Sequence, residues 1–200
     1  HMTSIRHNTE PQTTYLNAAR DCILDVGWRR TSLTEVARRS GVSRMTIYRS
    51  WPDMPTMLGD LMTREWSEVV AGAVSAADTS SASANAAERI VAEVVGTIRA
   101  LRDNELFTRI VELDPVLLLP YLLNRRGRSQ EAIAELTAGR IREGQADGSV
   151  RDGEPVAMAR ALLLAAHGFV LSSHTMVDDE VDEKALDAEL EHLVRAMVTR

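Results

Sequence analysis

The stretch of sequence that decides the fold runs Ser32-Leu33-Thr34-Glu35-Val36-Ala37-Arg38-Arg39-Ser40-Gly41-Val42-Ser43-Arg44-Met45-Thr46-Ile47-Tyr48-Arg49-Ser50-Trp51. It predicts two short helices joined by a glycine turn. Ser32 and Glu35 have the spacing of a capping box, which starts the first helix. Gly41 ends that helix, because glycine accepts the left-handed conformation that helix ends commonly need.

The second of these helices is amphipathic, with one apolar side and one polar side. Ser43 is placed to cap it, and Ile47 and Trp51 lie four residues apart on the buried side. The side chains left for solvent are Arg44, Met45, Thr46, Tyr48 and Arg49. Arginines bind phosphates and guanine edges, hydroxyls bind phosphates, and a thioether makes apolar contacts. We therefore predict a helix-turn-helix with Arg44, Met45 and Thr46 deepest in the major groove of DNA.

Charge is unevenly distributed along the 200 residues, which carry a net charge of −6. Residues 1–51 hold eight arginines and four acidic residues, a balance of +4, so the remaining chain has a balance of −10. Two helices joined by a glycine turn also occur in proteins that never touch DNA, where the arginines are a solvated face. A basic end on an acidic body favours the DNA-binding interpretation.

From Tyr15 to about Trp66 the chain resembles the tetracycline-repressor (TetR) family of bacterial transcription regulators. The residues that carry the likeness include 31–37, Gly41-Val42-Ser43 and Thr46-Ile47-Tyr48. The resemblance implies an all-α protein, with an N-terminal three-helix helix-turn-helix DNA-binding domain followed by a larger helical ligand-binding and dimerisation domain. A second, less specific likeness covers the turn at 144–155.

The domain organisation expected on this basis has three parts. Residues 1–12 form a flexible arm that begins with a tag remnant, 13–52 the DNA-binding domain, and 53–200 the effector-binding and dimerisation domain. Apolar periodicity predicts helices throughout the last part. A small polar linker is expected at 76–85.

The family likeness also assigns DNA contacts outside the first turn of the recognition helix. Tyr48 corresponds to a tyrosine that contacts a phosphate, although its ring could instead pack under Trp51. Ser32 and Thr34 start the preceding helix, where free amides and hydroxyls suit a phosphate. Many relatives have a lysine near the start of the fourth helix, whereas this chain has Asp53-Met54-Pro55. Arg49, Arg29 or Arg6 is expected to replace that lysine.

The last two predicted helices, 155–175 and 182–199, are expected to form the dimer interface. Apolar residues follow helical spacing on both, and the family likeness implies a four-helix bundle made by two subunits. The predicted interface residues are Leu163, His167, Leu171, Leu190, Leu193 and Met197. A homodimer also suits DNA recognition, because one recognition helix reads few bases.

The effector is expected to be a small hydrophobic molecule of the fatty-acyl kind. The family likeness implies a ligand cavity framed by the fourth to eighth helices, where the ligand shifts the fourth helix. Aromatic residues are scarce after residue 51, which favours an aliphatic ligand. The predicted pocket residues are Met62, Trp66, Phe107, Leu118, Leu122 and Phe169.

Other chemistry has little support in the sequence. The single cysteine, Cys22, lies on the apolar side of a predicted helix and suits packing. His167 and His174 lie two turns apart, but no third metal ligand is evident. No catalytic motif, secretory signal or membrane-length apolar run is recognised. We expect no metal, cofactor or enzymatic activity.

These observations predict a cytoplasmic, homodimeric transcription repressor that binds an inverted-repeat DNA operator and is released by a small apolar ligand. Two alternatives stay open. One is a DNA-binding regulator with no small-molecule effector. The other is a helical enzyme or ligand-binding module with a vestigial DNA-binding head.

Overall fold

The structure, a computed structural model, describes residues 9–80 and 84–200. Within these residues the chain is helical, and its β pairing is an isolated bridge between Val150 and Thr199. The α-helices are α1 (Thr9–Val26), α2 (Leu33–Arg39), α3 (Arg44–Tyr48), α4 (Met54–Ser80), α5 (Ala86–Arg102), α6 (Glu105–Leu113), α7 (Leu119–Leu123), α8 (Arg128–Asp147), α9 (Pro155–Ser172) and α10 (Glu183–Val198). The predicted all-α fold class is confirmed.

The helices group into two compact units. The first contains the described residues up to Glu65 together with Glu105–Asn124, and the second contains Trp66–Asn104 and Arg125–Arg200. Helix α4 therefore contributes residues to both. Packing places α6 and α7 with the N-terminal helices, whereas the functional division after residue 52 stays a prediction.

The first unit has an apolar core under α2 and α3. Its most deeply buried side chains are Ala19, Cys22, Ile23, Val36, Ile47, Met57, Leu61, Leu106 and Ile110. Burial raises the pKa of the Cys22 thiol, as expected for a cysteine that fills space. Asp114 ties the end of α6 to the turn before α2, since its carboxylate accepts the Trp28 backbone N–H at 3.1 Å and pairs with Arg29 at 3.2 Å.

The second unit packs α8, α9 and α10 around α5. Its core consists of Ala87, Ile90, Val91, Val95, Ile98, Ala138, Ile141, Val150, Met158, Ala159, Leu162, Leu190, Val194 and Val198. The amphipathic spacing on α5 explains its central place, because it can present apolar residues to several neighbours.

Two predicted flexible segments are partly helical. The N-terminal arm was expected to reach residue 12, but α1 begins at Thr9, and Pro11 suits a first helical turn because it lacks an N–H group. The tag remnant and Arg6 lie outside the described residues.

The linker expected at 76–85 is also shorter than predicted. Helix α4 continues to Ser80, with Ala77 buried and the Thr79 and Ser80 hydroxyls bonded to carbonyls one turn earlier. Asn85 already caps α5, and residues 81–83 lie outside the description.

One segment within the described residues, Pro155–Met176, is long and apolar enough to cross a membrane by length and composition, and 22% of it is buried. The sequence-based search for apolar runs missed this property because His167 and Arg160 interrupt the run.

Candidate DNA-binding surface and ligand groove

Ser32 caps the start of α2 as predicted, but Glu35 does not complete the capping box. Ser32 Oγ accepts the Glu35 backbone N–H at 3.2 Å. The Glu35 carboxylate, however, binds the guanidinium groups of Arg38 and Arg39 at 2.7–2.9 Å instead of completing a capping box. The hydrogen bond from Arg38 lowers the pKa of Glu35 to about 2. The positive charges of Arg38 and Arg39 are therefore paired with a carboxylate of the same chain.

The turn between α2 and α3 has the predicted geometry. Gly41 has a φ of 68°, in the left-handed region that favours glycine. Ser43 Oγ accepts the Thr46 backbone N–H at 3.3 Å and lies 3.0 Å from the Thr46 hydroxyl oxygen. The cap fixes the start of α3, while the Thr46 hydroxyl is engaged with Ser43.

The buried side of α3 anchors it to the first unit. Ile47 is fully buried, and Trp51 donates its indole N–H to Asp60 at 2.8 Å. The ring that meets Trp51 edge-on belongs to Tyr15, with centroids 6.3 Å apart. Tyr48 is 46% exposed, so its ring is available at the surface instead of lying under Trp51.

The predicted DNA-contacting residues gather on the opposite side. Arg44, Met45, Tyr48, Arg49 and Ser32 are exposed, and Thr34 and Thr46 are partly exposed. Met45 is 68% exposed. Within the described part of the chain, no carboxylate pairs with Arg44 or Arg49. This surface therefore has positive charge that an anion can neutralise.

Asp53 lies directly before α4, in the region where sequence analysis expected the lysine of many TetR-family proteins to be replaced. Its carboxylate accepts the Thr56 backbone N–H at 2.8 Å, and the hydrogen bonds from Thr56 lower the pKa of Asp53. Sequence analysis noted the departure but did not identify its structural role as a helix cap.

Exposed small and apolar side chains lie on α9 and on α10. Leu163, His167, Leu171 and Met197 are partly exposed, as an interface prediction requires. The more exposed small and apolar residues are Ala161, Leu164, Ala165 and Gly168 on α9, and Ala185, Ala188, Leu193 and Ala196 on α10. Leu190 does not belong with them. It is 1% exposed and lies in the core of the second unit, where α10 packs against α5.

The two histidines do not form a site. His167 Nε2 lies 3.1 Å from the Gln130 side-chain nitrogen, and burial lowers its pKa. His174 is exposed in the 3₁₀ turn Ser173–Met176, which follows the end of α9. Among the described residues no group of three or more histidine, cysteine or acidic side chains is arranged to hold a metal ion.

A groove of about 270 Å³ lies between the second half of α4 and the first half of α8, inside the second unit. It is lined by Trp66, Ser67, Val70, Ala71, Val74, Ser129, Ala132, Ile133 and Leu136. The repeats of apolar residues three and four apart on both helices were the available signal. Sequence reasoning expected a cavity framed by the fourth to eighth helices but named only Trp66 among these residues, because such repeats more often face a core.

Of the six residues predicted for an effector pocket, Trp66 lines this groove. Met62, Phe107 and Leu118 are buried in the first unit, and Leu122 is exposed there. Phe169 packs against the core of the second unit. The six residues are divided between the two units, and their shared pocket stays a prediction.

Comparison with known proteins agrees with the geometry of the N-terminal helices. Residues 16–61 match the family described as bacterial regulatory proteins, tetR family. The HTH-type transcriptional regulator Rv2250c of Mycobacterium tuberculosis is 33% identical over 177 residues, which cover 88% of each chain.

Solved structures share the fold at lower sequence identity. The transcriptional repressor QsdR from R. erythropolis has a TM-score of 0.67 and 16% identity, covering 95% of this chain and 96% of its own. RolR in complex with resorcinol has a TM-score of 0.66 and 12% identity, covering 94% of this chain and 87% of its own. These similarities extend over both compact units.

Proposed function

Because the chain belongs to the tetR family of bacterial regulatory proteins, we propose that this transcription regulator is a homodimeric repressor. It binds an inverted-repeat operator and leaves it when a small apolar effector binds. Its site of action is the cytoplasm, where it meets DNA, and its function is regulatory and not enzymatic.

The exposed face of α3 is the observation that carries the DNA-binding part of this proposal. Ser43 fixes the start of the helix and Ile47 and Trp51 fix its rotation, so Arg44, Met45 and Tyr48 project together. The first turn of a recognition helix is the part that enters the major groove. We assign base contacts to Arg44, Met45 and Thr46 and phosphate contacts to Ser32, Thr34, Tyr48 and Arg49.

The exposed apolar side chains of α9 and α10 support the dimer. Leu164 is 70% exposed and Leu193 is 55% exposed. Their small neighbours, including Ala165 and Gly168, allow the helices of a second subunit to approach closely. A second copy of the chain covers these side chains and brings two recognition helices to the two halves of an operator.

The groove supports control by a ligand. It is lined by residues 66–74 of α4, and the same helix continues back into the first unit. If α4 has two positions, a molecule that binds the groove more tightly in one of them increases the population of that conformation. The affinity for DNA then changes as well, because α4 continues into the first unit. The solved complex of RolR with resorcinol is a similar protein that holds a small organic molecule.

The test begins with sequencing of genomic fragments retained by the purified protein, followed by titration of the enriched sequence. We expect an inverted repeat. Arg44→Ala should relax the base preference at one position of each half-site, by about 1–3 kcal/mol. Tyr48→Phe should weaken binding to all sequences by roughly 1 kcal/mol per subunit, because a phosphate contact carries no base information.

The matched control is Arg142→Gln, which removes one exposed arginine from α8 and should leave operator affinity unchanged. Failure to enrich any sequence, or an Arg44→Ala variant with wild-type affinity and base preference, would contradict the proposal. A change of base preference in Tyr48→Phe would remove that residue from the phosphate contacts.

A further inference from the structure

The turn between α1 and α2, residues 27–31, is held by a carboxylate from a distant part of the first unit. Asp114 directly follows α6 and is buried. Its Oδ2 accepts the Trp28 backbone N–H at 3.1 Å, and its Oδ1 lies 3.2 Å from Arg29 Nε. Both oxygens of this carboxylate therefore bind the turn that leads into α2.

Local contacts fix the backbone of the same turn. Gly27 has a φ of 80°, and a Cβ at this position would lie 3.5 Å from Leu113 Cδ1. The Thr31 hydroxyl donates to the Gly27 carbonyl at 2.9 Å, and the Thr31 backbone N–H donates to the Trp28 carbonyl at 3.0 Å. The closed turn gives Arg29 a defined backbone position, so the remaining freedom is in its side chain.

Asp114 restricts that side chain as well. The Arg29 side chain is 80% exposed although the carboxylate that it pairs with is 7% exposed, so the arginine extends from the buried carboxylate towards solvent. A guanidinium has five N–H donors, and pairing through Nε leaves those of the terminal nitrogens for an anion. Because the group is already held in place, it loses less conformational entropy when it binds.

Several arginines of the N-terminal helices are neutralised by nearby carboxylates. Arg20 pairs with Glu65 at 2.8 Å, and Arg38 and Arg39 both pair with Glu35. The exposed arginines of residues 9–51 that no carboxylate of this segment pairs with are Arg29, Arg30, Arg44 and Arg49. Positive charge that DNA can neutralise is therefore present before α2 as well as on α3.

The position of Arg29 in the chain places it close to the start of α2. Ser32, which caps α2 and is assigned above to a phosphate, follows Arg29 by three residues. Three residues span at most about 10 Å of extended chain, and the long side chain of an arginine reaches beyond its own backbone. Arg29 and Ser32 can therefore contact the same stretch of DNA backbone.

We propose that Arg29 binds a phosphate of the DNA backbone and that Asp114 is its positioning residue. The ion pair holds the guanidinium at the surface, and the phosphate accepts the N–H groups that Asp114 leaves free. The inference rests on the proposed function, and it adds a phosphate contact that lies outside α2 and α3 and depends on the end of α6. Arg29 then contributes affinity and not base preference, because a phosphate contact carries no base information.

The experiment compares full-length Arg29→Gln, Asp114→Asn and the double variant in binding to operator and to unrelated DNA. The readout is fluorescence anisotropy of labelled DNA over a series of salt concentrations. Arg29→Gln should weaken binding to both DNAs about tenfold at low salt. It should also lower the steepness of log affinity against log salt by about 2 per dimer, one for each lost phosphate contact.

Asp114→Asn is the sharper test because two effects of opposite sign compete. The asparagine oxygen can still accept the Trp28 N–H, but the charge that holds Arg29 is lost. Removal of a carboxylate would by itself strengthen DNA binding, whereas loss of the orienting ion pair should weaken it about threefold. In the Arg29→Gln background the same substitution should cause no further weakening, because the guanidinium that it positions is absent.

Arg30→Gln is the matched control. Arg30 is exposed in the same turn, and no carboxylate of the described residues pairs with it. Its loss should weaken DNA binding less than Arg29→Gln does, and to the same extent with or without Asp114. Equal losses in Arg29→Gln and Arg30→Gln, or tighter DNA binding by Asp114→Asn, would overturn the inference. Thermal melts confirm folding, and the exposed Arg29→Gln substitution keeps the test decisive if Asp114→Asn lowers stability.

Base preference separates this inference from the proposed repressor. If Arg44→Ala relaxes the base preference but Arg29→Gln leaves affinity unchanged, the repressor stands and the Arg29 contact is refuted. If the protein enriches no operator but binds unrelated DNA through Arg29, the contact stands and the repressor is refuted. Protein that binds no DNA refutes both.

Discussion

At the residue scale, Asp53 has two opposing effects. As the cap of α4 it holds the Thr56 N–H and stabilises the start of a 27-residue helix. As a carboxylate near the recognition helix it repels phosphates, in a region where Arg44 and Arg49 attract them. Its carboxylate is charged at neutral pH like that of any exposed aspartate, and the hydrogen bonds from Thr56 lower its pKa further.

Asp53→Asn separates these effects, because asparagine caps a helix about as well as aspartate. We expect the variant to bind operator and unrelated DNA roughly three- to tenfold more tightly at low salt, with a smaller difference at high salt. The measurement is fluorescence anisotropy with labelled DNA over a series of salt concentrations. Glu68→Gln, which removes an exposed carboxylate elsewhere on α4, is the control; an equal gain there would show a general charge effect.

At the element scale, the connection between α8 and α9 holds the second unit together. Gly148 ends α8 in the left-handed conformation, and the Val150 N–H then returns to the Gly144 carbonyl at 2.9 Å. Asp147 and Ser149 accept the first N–H groups of α5. The second family likeness, at 144–155, therefore corresponds to a turn that caps one helix and packs against another.

Gly144 provides the space for this turn. A Cβ at this position would lie 2.2 Å from a methyl carbon of Val150, whose side chain is fully buried and cannot withdraw. Gly144→Ala should therefore lower the free energy of unfolding by about 1–3 kcal/mol. Gly139→Ala on the same helix, where a Cβ meets nothing within 4 Å, should raise it by roughly 0.5–1 kcal/mol.

Urea denaturation of the two glycine variants tests this difference. If Gly144→Ala is as stable as Gly139→Ala, the packing of Val150 against α8 is looser than the structure indicates.

At the scale of the whole molecule, the proposed dimer depends on which apolar residues of α10 are exposed and which are buried in the core of their own chain. Leu190 and Leu193 are both apolar and three residues apart, but Leu190 is buried in the subunit and Leu193 is exposed. Substitutions at these two positions therefore test folding and dimerisation separately.

Leu193→Glu should produce a folded monomer, because a carboxylate placed in a dimer interface loses its water without gaining a partner. Leu190→Glu should instead unfold the subunit. Sedimentation velocity and circular dichroism measure the two outcomes, with Leu123→Glu as an exposed control on α7. Operator binding by the Leu193→Glu monomer should fall steeply while weak binding to unrelated DNA persists. A Leu193→Glu variant that stays dimeric would place the interface elsewhere.

The sequence by itself determined the helix-turn-helix, because caps, a left-handed glycine and apolar residues four apart act within a few residues of one another. Ser32, Gly41 and Ser43 have the local roles that their spacing predicts. The predicted contact residues Arg44, Met45 and Tyr48 are exposed for the same reason, since the buried Ile47 fixes the rotation of α3.

Only the tertiary structure decided which apolar residues lie in a core, which line the groove and which are exposed. Helical periodicity shows that a residue is on an apolar stripe, but not which neighbour the stripe meets. Leu190 and Phe169 pack in the second unit, while Ile133 and Leu136 line a groove that no local pattern distinguishes from a core. These assignments depend on contacts between helices far apart in sequence, so the packing of the complete chain determines them.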